Sequence, residues 1–312
     1  MLTRRQLRIK VMQAIFYFQS QQDDDLKNLE KFLNTSVTQT YGLFLHLAQL
    51  LVKIHELAVE RQNNLAKKHI ASEEERTAPA YFAENIVLSK LRESEELVEA
   101  LKKRNLDPWE LDSKYVENLY DKIINSPTYV MYTSVSETSY KKDLNFVVQI
   151  YQEIIAPSDE LLDYLEDINI TWVDDYPLVN TSMIMFLRRI KASKEVKLPD
   201  LVKDADDIKF TMELFRKTVL NQDELLERID GRTPNWDKDR IAPIDRVLII
   251  MAQAEFLYFP SIPVKVSLNE YLEIAKDYST PKSSTFINGI LDNLLKEFQE
   301  NDQINKIGRG LM

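Results

Sequence analysis

Hydrophobic residues recur along most of this chain with the period of an α-helix. In residues 4–19 one face is apolar, and Thr3 precedes it as a candidate helix cap. Similar patterns predict further helices over 37–69, 81–104, 114–125 and 138–155. No segment keeps the alternation of a β-strand, and the short β-rich run 128–133 is the only weak candidate. The pattern therefore predicts an all-α fold.

The second half of the sequence contains an internal repeat at an offset of 64 residues. Each copy contains the motif DELL, a Trp and an Asp at the same spacing. In the first copy they are Asp159–Leu162, Trp172 and Asp175, and in the second they are Asp223–Leu226, Trp236 and Asp239. This register predicts two related three-helix units, 143–190 and 207–254, with each Trp buried at the start of its third helix. The alternative is that amphipathic helices of similar length resemble one another by chance.

Composition excludes several classes of protein. The 312 residues include no Cys, which rules out disulfides, thiol catalysis and Cys-based zinc sites. There is no apolar run of about 18 residues, so no transmembrane helix is predicted. The first 20 residues make a poor signal peptide, because polar residues interrupt their apolar part. We therefore expect a cytoplasmic protein that does not enter a membrane.

Motifs for catalysis are missing from the sequence. With only 5 Gly, the chain has no GxGxxG loop, no P-loop and no GxSxG elbow. The three histidines, His46, His55 and His69, all fall on the predicted second helix without an HExxH motif, which favours packed or solvated side chains over metal ligands. The sequence thus predicts a protein that is not an enzyme, with no catalytic residue, metal or cofactor.

Charge is distributed unevenly along the chain. The net charge is −10, yet residues 1–22 contain four basic residues and no acid. Arg4, Arg5 and Arg8 can share one face of the first helix, and guanidinium groups bind phosphate in a bidentate fashion. Aromatic rings such as Phe16, and Phe286 if the last helices pack beside the first, can stack on bases. This combination is typical of a single-stranded RNA site, and the alternative is a solvated basic helix face.

Three segments carry a resemblance to a known family. They are RRQLRIKVMQAIFYFQ at 4–19, IDRVLIIMAQAE at 244–255 and IPVKVSLNEYLEIAKDYSTPKSSTFINGILD at 262–292. Together they resemble the first helix and the C-terminal signature of the NusB transcription antitermination factors. The resemblance implies an NusB-like helical bundle formed by residues 1–20 and 201–300. Residues 21–200 are then a helical insert, and residues 143–190 within it are the first copy of the repeat. Residues 301–312 are expected to form a flexible tail.

The resemblance also implies a function. Proteins of this family bind boxA sequences in single-stranded leader RNA together with ribosomal protein uS10, also called NusE. The pair joins RNA polymerase in an antitermination complex during ribosomal RNA transcription. Two alternatives remain: a helical protein–protein scaffold with little RNA binding, and an accessory domain of an RNA-modification enzyme. The second alternative lacks support because the chain has neither a cofactor loop nor a Cys nucleophile.

Site residues follow from the same resemblance. The family's RNA-contacting arginines correspond to Arg5 and Arg8, and its aromatic residue on the first helix corresponds to Phe16. Asp245 and Phe286 match an acid and a Phe near the RNA and partner surface. Lys282 stands at a loop position of that surface that is usually acidic, and Ile250 stands where an Arg is common.

Two expectations concern packing. Gly289 interrupts a helical pattern, where glycine is unfavourable by roughly 1 kcal/mol relative to alanine, so we expect another backbone to approach it closely. The insert is acidic, and adjoining anionic patches repel phosphate. We therefore expect the insert to lie away from Arg5 and Arg8 and to leave the RNA surface unextended.

Overall fold

The structure is a computed structural model that describes residues 1–21, 25–67, 80–104, 109, 111–134, 137–229 and 241–311. These residues form fourteen α-helices and no β-strand, which confirms the all-α prediction. The helices are α1 Arg4–Gln21, α2 Leu26–Lys67, α3 Ile86–Arg92, α4 Glu95–Arg104, α5 Ser113–Ile124, α6 Pro127–Thr133, α7 Tyr140–Ile150, α8 Asp159–Ile168, α9 Trp172–Arg189, α10 Ala205–Leu220, α11 Gln222–Glu227, α12 Pro243–Tyr258, α13 Val264–Tyr278 and α14 Ser283–Glu300. A π-helical turn, Tyr151–Ile155, continues α7, and a 3₁₀ turn, Gly308–Leu311, follows α14.

The chain divides into two compact units. The first unit contains Met1 and Thr38–Leu201, and the second contains Leu2–Val37 and Val202–Met312. Helix α2 is shared, because its residues up to Val37 belong to the second unit and the remainder to the first.

Helix α12 is the centre of the second unit. Every residue from Val247 to Phe256 is buried, so this helix is covered on all sides. It packs against α1, α10, α11, α13 and α14, while α1 also packs against α10 and α13. The apolar face of α1 supplies Leu7, Val11 and Ile15, which are fully buried. A helix from the start of the chain and five helices from its end therefore form one bundle.

The first unit is built around the buried face of α2. Trp109 donates an indole hydrogen bond of 3.1 Å to the His46 carbonyl, and Trp172 donates one of 3.0 Å to the Gln39 carbonyl. Both indoles are buried. Helix α7 packs against α3, α6 and α9. The two tryptophans thus combine a large apolar contact with a satisfied N–H group on the backbone of α2.

Capping residues explain two local differences from the sequence prediction. The single helix predicted over 81–104 is wrong, because Ser94 separates α3 from α4 and its hydroxyl caps the Leu97 amide at 3.3 Å. The β-rich run 128–133 is helical, since Ser126 accepts a hydrogen bond from Tyr129 N and Pro127 occupies the first turn. Helix α2 also begins earlier than predicted, at Leu26 instead of residue 37.

The predicted repeat units each contain three helices in the same order. Helix α7 with its π turn corresponds to α10, α8 to α11 and α9 to α12. Residues at the 64-residue offset are buried in both copies, as in the pairs Asp143 and Asp207, Phe146 and Phe210, Tyr151 and Phe215, and Leu161 and Leu225. Trp172 is buried at the start of α9, whereas Trp236 lies outside the described residues. A common origin of the two copies stays a prediction.

Residues 301–311 return to the end of α12. The Lys306 ammonium donates hydrogen bonds of 3.2 Å to the Glu255 carbonyl and 2.8 Å to the Phe259 carbonyl. Ile307 N donates to Pro260 O at 3.0 Å. A cation at these carbonyls also complements the negative end of the helix dipole. These contacts attach Lys306 and Ile307 to the end of α12. The predicted flexibility of residues 301–312 stays a prediction.

Among the described helices, α2 is long and apolar enough to match a membrane span by length and composition. The matching segment is Leu26–Leu65, and 78% of its most apolar window is buried inside the protein. The burial of this window identifies it as a core element of the helical fold.

The close approach predicted for Gly289 is wrong. Gly289 is exposed, and a Cβ built on it meets no atom within 4 Å. The helical pattern explains this position, because Ile287, Ile290 and Leu291 are buried and Gly289 lies on the opposite side of α14. Nothing in the structure explains why a glycine stands at this site.

Alanine substitutions at two glycines should have opposite effects on stability. Gly289→Ala should raise the free energy of unfolding by about 1 kcal/mol, since alanine is the better helix former and space is available. Gly310→Ala should lower it, because a Cβ there would lie 1.9 Å from Pro260 O. Urea unfolding of the two variants checks both signs, and destabilisation by Gly289→Ala would contradict the exposed position.

Candidate functional site

A buried ion pair lies at the centre of the second unit. The guanidinium of Arg8, on α1, donates two hydrogen bonds to the carboxylate of Glu255, on α12, with distances of 2.9 Å from Nε to Oε2 and 2.6 Å from Nη2 to Oε1. Arg8 is 2% exposed and Glu255 is fully buried. The expected exposed face of three arginines is therefore wrong for Arg8, which points into the bundle.

Two hydroxyl groups also donate hydrogen bonds to the Glu255 carboxylate. The Ser267 hydroxyl donates to Oε1 at 2.6 Å, and the Tyr271 hydroxyl donates to Oε2 at 2.9 Å. Both donors lie on α13 and are buried. The carboxylate thus receives four donors from two helices, which is the condition under which a buried charge is tolerated. The network links α1, α12 and α13 at one point.

The environment keeps Arg8 charged. Burial alone would lower the pKa of Arg8, but the hydrogen bonds and charge of Glu255 outweigh it and raise the pKa above its usual value. Burial also raises the pKa of the Tyr271 hydroxyl, with the adjacent Glu255 adding to the effect. The phenol therefore stays protonated and acts as a donor to Glu255. Phe210 covers the network, with its ring centroid 5.1 Å from the Arg8 guanidinium carbon.

Arg4 and Arg5 are more accessible than Arg8, and both are ion-paired. Arg5 donates two hydrogen bonds of 2.9 Å to Glu270, and these bonds lower the pKa of that carboxyl. Arg4 donates from Nε to Asp207 at 2.9 Å. The side chains of Arg4 and Arg5 are 43% and 39% exposed. Both guanidinium groups are therefore accessible to a phosphate from solvent, while the Asp207 side chain that pairs with Arg4 is only 9% exposed.

The aromatic candidates differ in accessibility. Phe16 is 42% exposed near the end of α1. Tyr17 stacks on Phe32 at a centroid distance of 4.7 Å, so one face of its ring is already covered. Phe286 is partly buried in the first turn of α14, a helix that packs against α12 and α13. Phe16 is therefore the candidate with the larger free surface.

The three candidate partner-binding residues occupy different positions around the start of α14. Asp245 is buried and accepts a hydrogen bond of 2.5 Å from the Ser279 hydroxyl, whose oxygen also lies 3.0 Å from Ser283 Oγ. This arrangement connects the start of α12 to the α13–α14 turn. Lys282 precedes α14 and is exposed, with no ion pair among the described residues. Asp245 thus positions the turn, while Lys282 is accessible from solvent.

Sequence reasoning missed that Glu255 is the partner of Arg8. A signal was present, since Glu255 is the single acid among the last ten residues of the apolar helix α12, and a buried carboxylate needs a cation. On α1, at about 100° per residue, Arg8 falls between Ile15 and Met12 and so inside the apolar arc. Clusters of His, Cys, Asp and Glu suited to a metal are absent from the part of the chain that the structure describes.

Comparison with known proteins gives consistent matches. A sequence model of the NusB family matches residues 183–296, which include α10 to α13 and most of α14. The transcription antitermination protein NusB of Salinibacter ruber is 44% identical over 117 residues, which cover 38% of this chain and 72% of that protein. The protein of the same name from Chloroherpeton thalassium is 39% identical over 122 residues, covering 39% of this chain and 58% of that protein. A third, from Methylacidiphilum infernorum, is 37% identical over 123 residues, covering 37% and 86% respectively. No solved structure matches the chain.

These matches and the helical bundle define the class of this protein as an all-α transcription antitermination factor that is not an enzyme. The chain belongs to the NusB family. It is longer than the related proteins, because the matched residues make up less than two fifths of this chain but 58% to 86% of the relatives. The first unit lies largely outside the range that the family model matches.

Proposed function

We propose that this chain binds boxA-type leader RNA together with ribosomal protein uS10 and acts in the antitermination complex of RNA polymerase during ribosomal RNA transcription, in the cytoplasm. One structural observation carries the proposal. Helix α1 is separated from α10 in the sequence by the whole first unit, yet it packs in one bundle with α10, α12 and α13. The parts of the chain that resemble the family's RNA-binding proteins are thus assembled in one unit.

In this proposal Arg4 and Arg5 bind phosphate groups, and Phe16 stacks on a base. Their partial exposure supports these roles, because each retains surface that a ligand can cover. A phosphate would bind the solvent-exposed side of the two guanidinium groups, while Asp207 and Glu270 keep their ion pairs. Arg8 has no direct contact with RNA in this proposal, because reaching a phosphate would leave Glu255 buried without its cation.

We further propose that Lys282 and Phe286 contact RNA or uS10, with Asp245 holding the turn from within. The exposed ammonium of Lys282 supports a contact with an anionic group. Lys282 is therefore proposed to face RNA phosphate.

The proposed RNA contact can be tested by salt-dependent binding. Replacing Arg4 and Arg5 by Ala should weaken binding to a boxA RNA and reduce the slope of log affinity against log salt by about 1.4, the expected loss for two phosphate contacts on a single strand. Fluorescence anisotropy with labelled RNA at several salt concentrations measures both quantities. The fold should survive, since the buried face of α1 is unchanged.

Arg216 supplies a matched control in the same unit. Its guanidinium also forms a two-point ion pair, with Glu30 at 2.5 and 2.9 Å, and its side chain is 49% exposed. Arg216→Ala should leave the salt slope unchanged. If Arg4→Ala with Arg5→Ala leaves both slope and affinity at the wild-type values, the start of α1 is outside the RNA site.

A second candidate function is a helical protein–protein scaffold with little RNA binding. The ion pairing of Arg4, Arg5 and Arg8 favours it, because all three guanidinium groups already have carboxylate partners. The same titration separates the two functions. A scaffold should bind boxA RNA no more tightly than an RNA of scrambled sequence.

A further inference from the structure

Four basic residues lie at and just beyond the end of α9 in the first unit. Arg188, Arg189, Lys191 and Lys194 are exposed, and no acid interrupts residues 188–194. None of the four has an ion pair within the described residues, whereas the three arginines of α1 are all paired. The nearest acid in sequence, Glu195, lies 3.9 Å from Lys197. A local basic patch therefore exists in a chain whose net charge is −10.

A groove adjoins this basic patch. Its volume is about 370 Å³, and it is lined by Leu144, Asn145, Val148, Gln149, Gln152 and Arg188. The three amide side chains are exposed on α7 and its π-helical continuation. Beside them, Tyr140 donates a hydrogen bond of 2.6 Å to the Ile190 carbonyl, which fixes the end of α9 against α7. The groove thus has an apolar floor, three amides and one guanidinium.

We propose that this groove and basic patch form a second contact for single-stranded RNA, which binds nucleotides flanking the boxA element. The inference rests on the function proposed above. Arg188 and its neighbours would neutralise phosphates, and the amides of Asn145, Gln149 and Gln152 would pair with base edges. It revises the expectation that the insert leaves the RNA surface unextended, because the local charge at 188–194 is opposite to that of the whole chain.

Two features favour RNA over a purely structural role for these cations. Basic residues in the last turn of a helix are favoured by the helix dipole, which accounts for Arg188 and Arg189. The dipole does not account for Lys191 and Lys194, which lie beyond the end of α9. Neither does it account for an amide-lined groove next to Arg188. Planar amides with several donors and acceptors suit base edges, and unpaired guanidinium groups suit phosphate.

Helix α4 supplies a matched control for the helix-end effect. Lys102 and Lys103 are exposed in its last turn, as Arg188 and Arg189 are in α9. The two double variants, R188Q/R189Q and K102Q/K103Q, therefore remove the same charge from equivalent positions. A third variant, N145A/Q149A/Q152A, removes the amides and keeps the charge.

The test uses the full chain and a labelled boxA RNA with natural-length flanks, titrated at several salt concentrations. R188Q/R189Q should reduce the salt slope by about 1.4, while K102Q/K103Q keeps the wild-type slope. N145A/Q149A/Q152A should weaken binding at an unchanged slope. Circular dichroism and thermal unfolding check that each variant folds.

Three other results would contradict the proposed second RNA contact or the proposed function. Equal slopes for the two charge variants would overturn the inference, since only net charge would then matter. An unchanged R188Q/R189Q titration, with binding still lost on Arg4→Ala and Arg5→Ala, would overturn the inference alone and leave the patch for an acidic protein. A wild-type chain that binds no RNA would overturn the proposed function together with this contact.

Discussion

Replacing either member of the Arg8–Glu255 pair should destabilise the protein by about 3–5 kcal/mol, because a buried charge would lose its partner. Arg8→Met leaves the Glu255 carboxylate with the hydroxyl donors of Ser267 and Tyr271 in place of a paired cation. The Lys306 ammonium contacts the Glu255 backbone carbonyl and does not replace the lost guanidinium. Glu255→Gln leaves a buried guanidinium whose other carboxylate, that of Glu270, is 3.7 Å away. Urea unfolding measured on both variants gives the two losses.

The double variant Arg8→Met with Glu255→Gln should recover much of this loss, since no unpaired charge remains in the interior. The control is Arg216→Ala, which breaks the more exposed pair with Glu30 and should cost less than about 1 kcal/mol. Additive losses in the double variant would show that the two side chains do not interact, and the assignment of this network as the link between α1, α12 and α13 would be wrong.

Acidification should destabilise the first unit through His46. This side chain is buried among aromatic rings, with centroid distances of 4.6 Å to Trp109 and 5.4 Å to Trp172, and neither ring nitrogen has a hydrogen-bond partner within the described residues. Burial lowers the pKa of His46 from 6.5 to about 4, against a smaller opposing effect of Asp112. The folded state therefore binds the proton less readily than the unfolded state.

This difference in proton binding decides how the stability changes with pH. Between pH 6.5 and about 4 the unfolded state binds more protons, so stability is full above this window and declines as the pH falls through it. The loss should reach about 3 kcal/mol, at 1.36 kcal/mol for each pKa unit. His55 acts in the same direction, since burial lowers its pKa too.

His46→Phe isolates this contribution. It keeps an aromatic ring in the site and removes the titrating group, so the variant should lose less stability than the wild type between pH 7 and pH 4. Chemical unfolding at a series of pH values measures the difference between the two proteins. Parallel curves would mean that His46 has the same pKa in the folded and unfolded states, which contradicts its burial.

The sequence predicted the helices because their apolar faces are formed mainly by local periodicity. The first helix and the all-α class follow from residues such as Leu7, Val11 and Ile15, whose spacing is independent of the tertiary fold. Boundaries were less predictable where a single hydroxyl decides them. Ser94 divides the predicted helix 81–104, and Ser126 directs a β-rich segment into a helix.

The sequence predicted which residues form the candidate site, but it did not predict which of their side chains are exposed. Basic and aromatic residues on α1 were identified, but their exposure depends on partners distant in sequence. Arg8 is 247 residues from Glu255, and Arg5 is 265 residues from Glu270. Long-range pairing of this kind leaves no periodic signal. The groove beside Arg188 was missed for the same reason, because α7 and α9 form it jointly.

The proposed function is the recognition of boxA RNA by this chain as an antitermination factor. Its most direct test is equilibrium binding of the full-length chain to a boxA RNA and to a scrambled RNA of equal length and composition, each with and without ribosomal protein uS10. We predict tighter binding to boxA than to the scrambled RNA, and a further gain in affinity for boxA when uS10 is present. Equal affinity for the two RNAs under both conditions would contradict the claim.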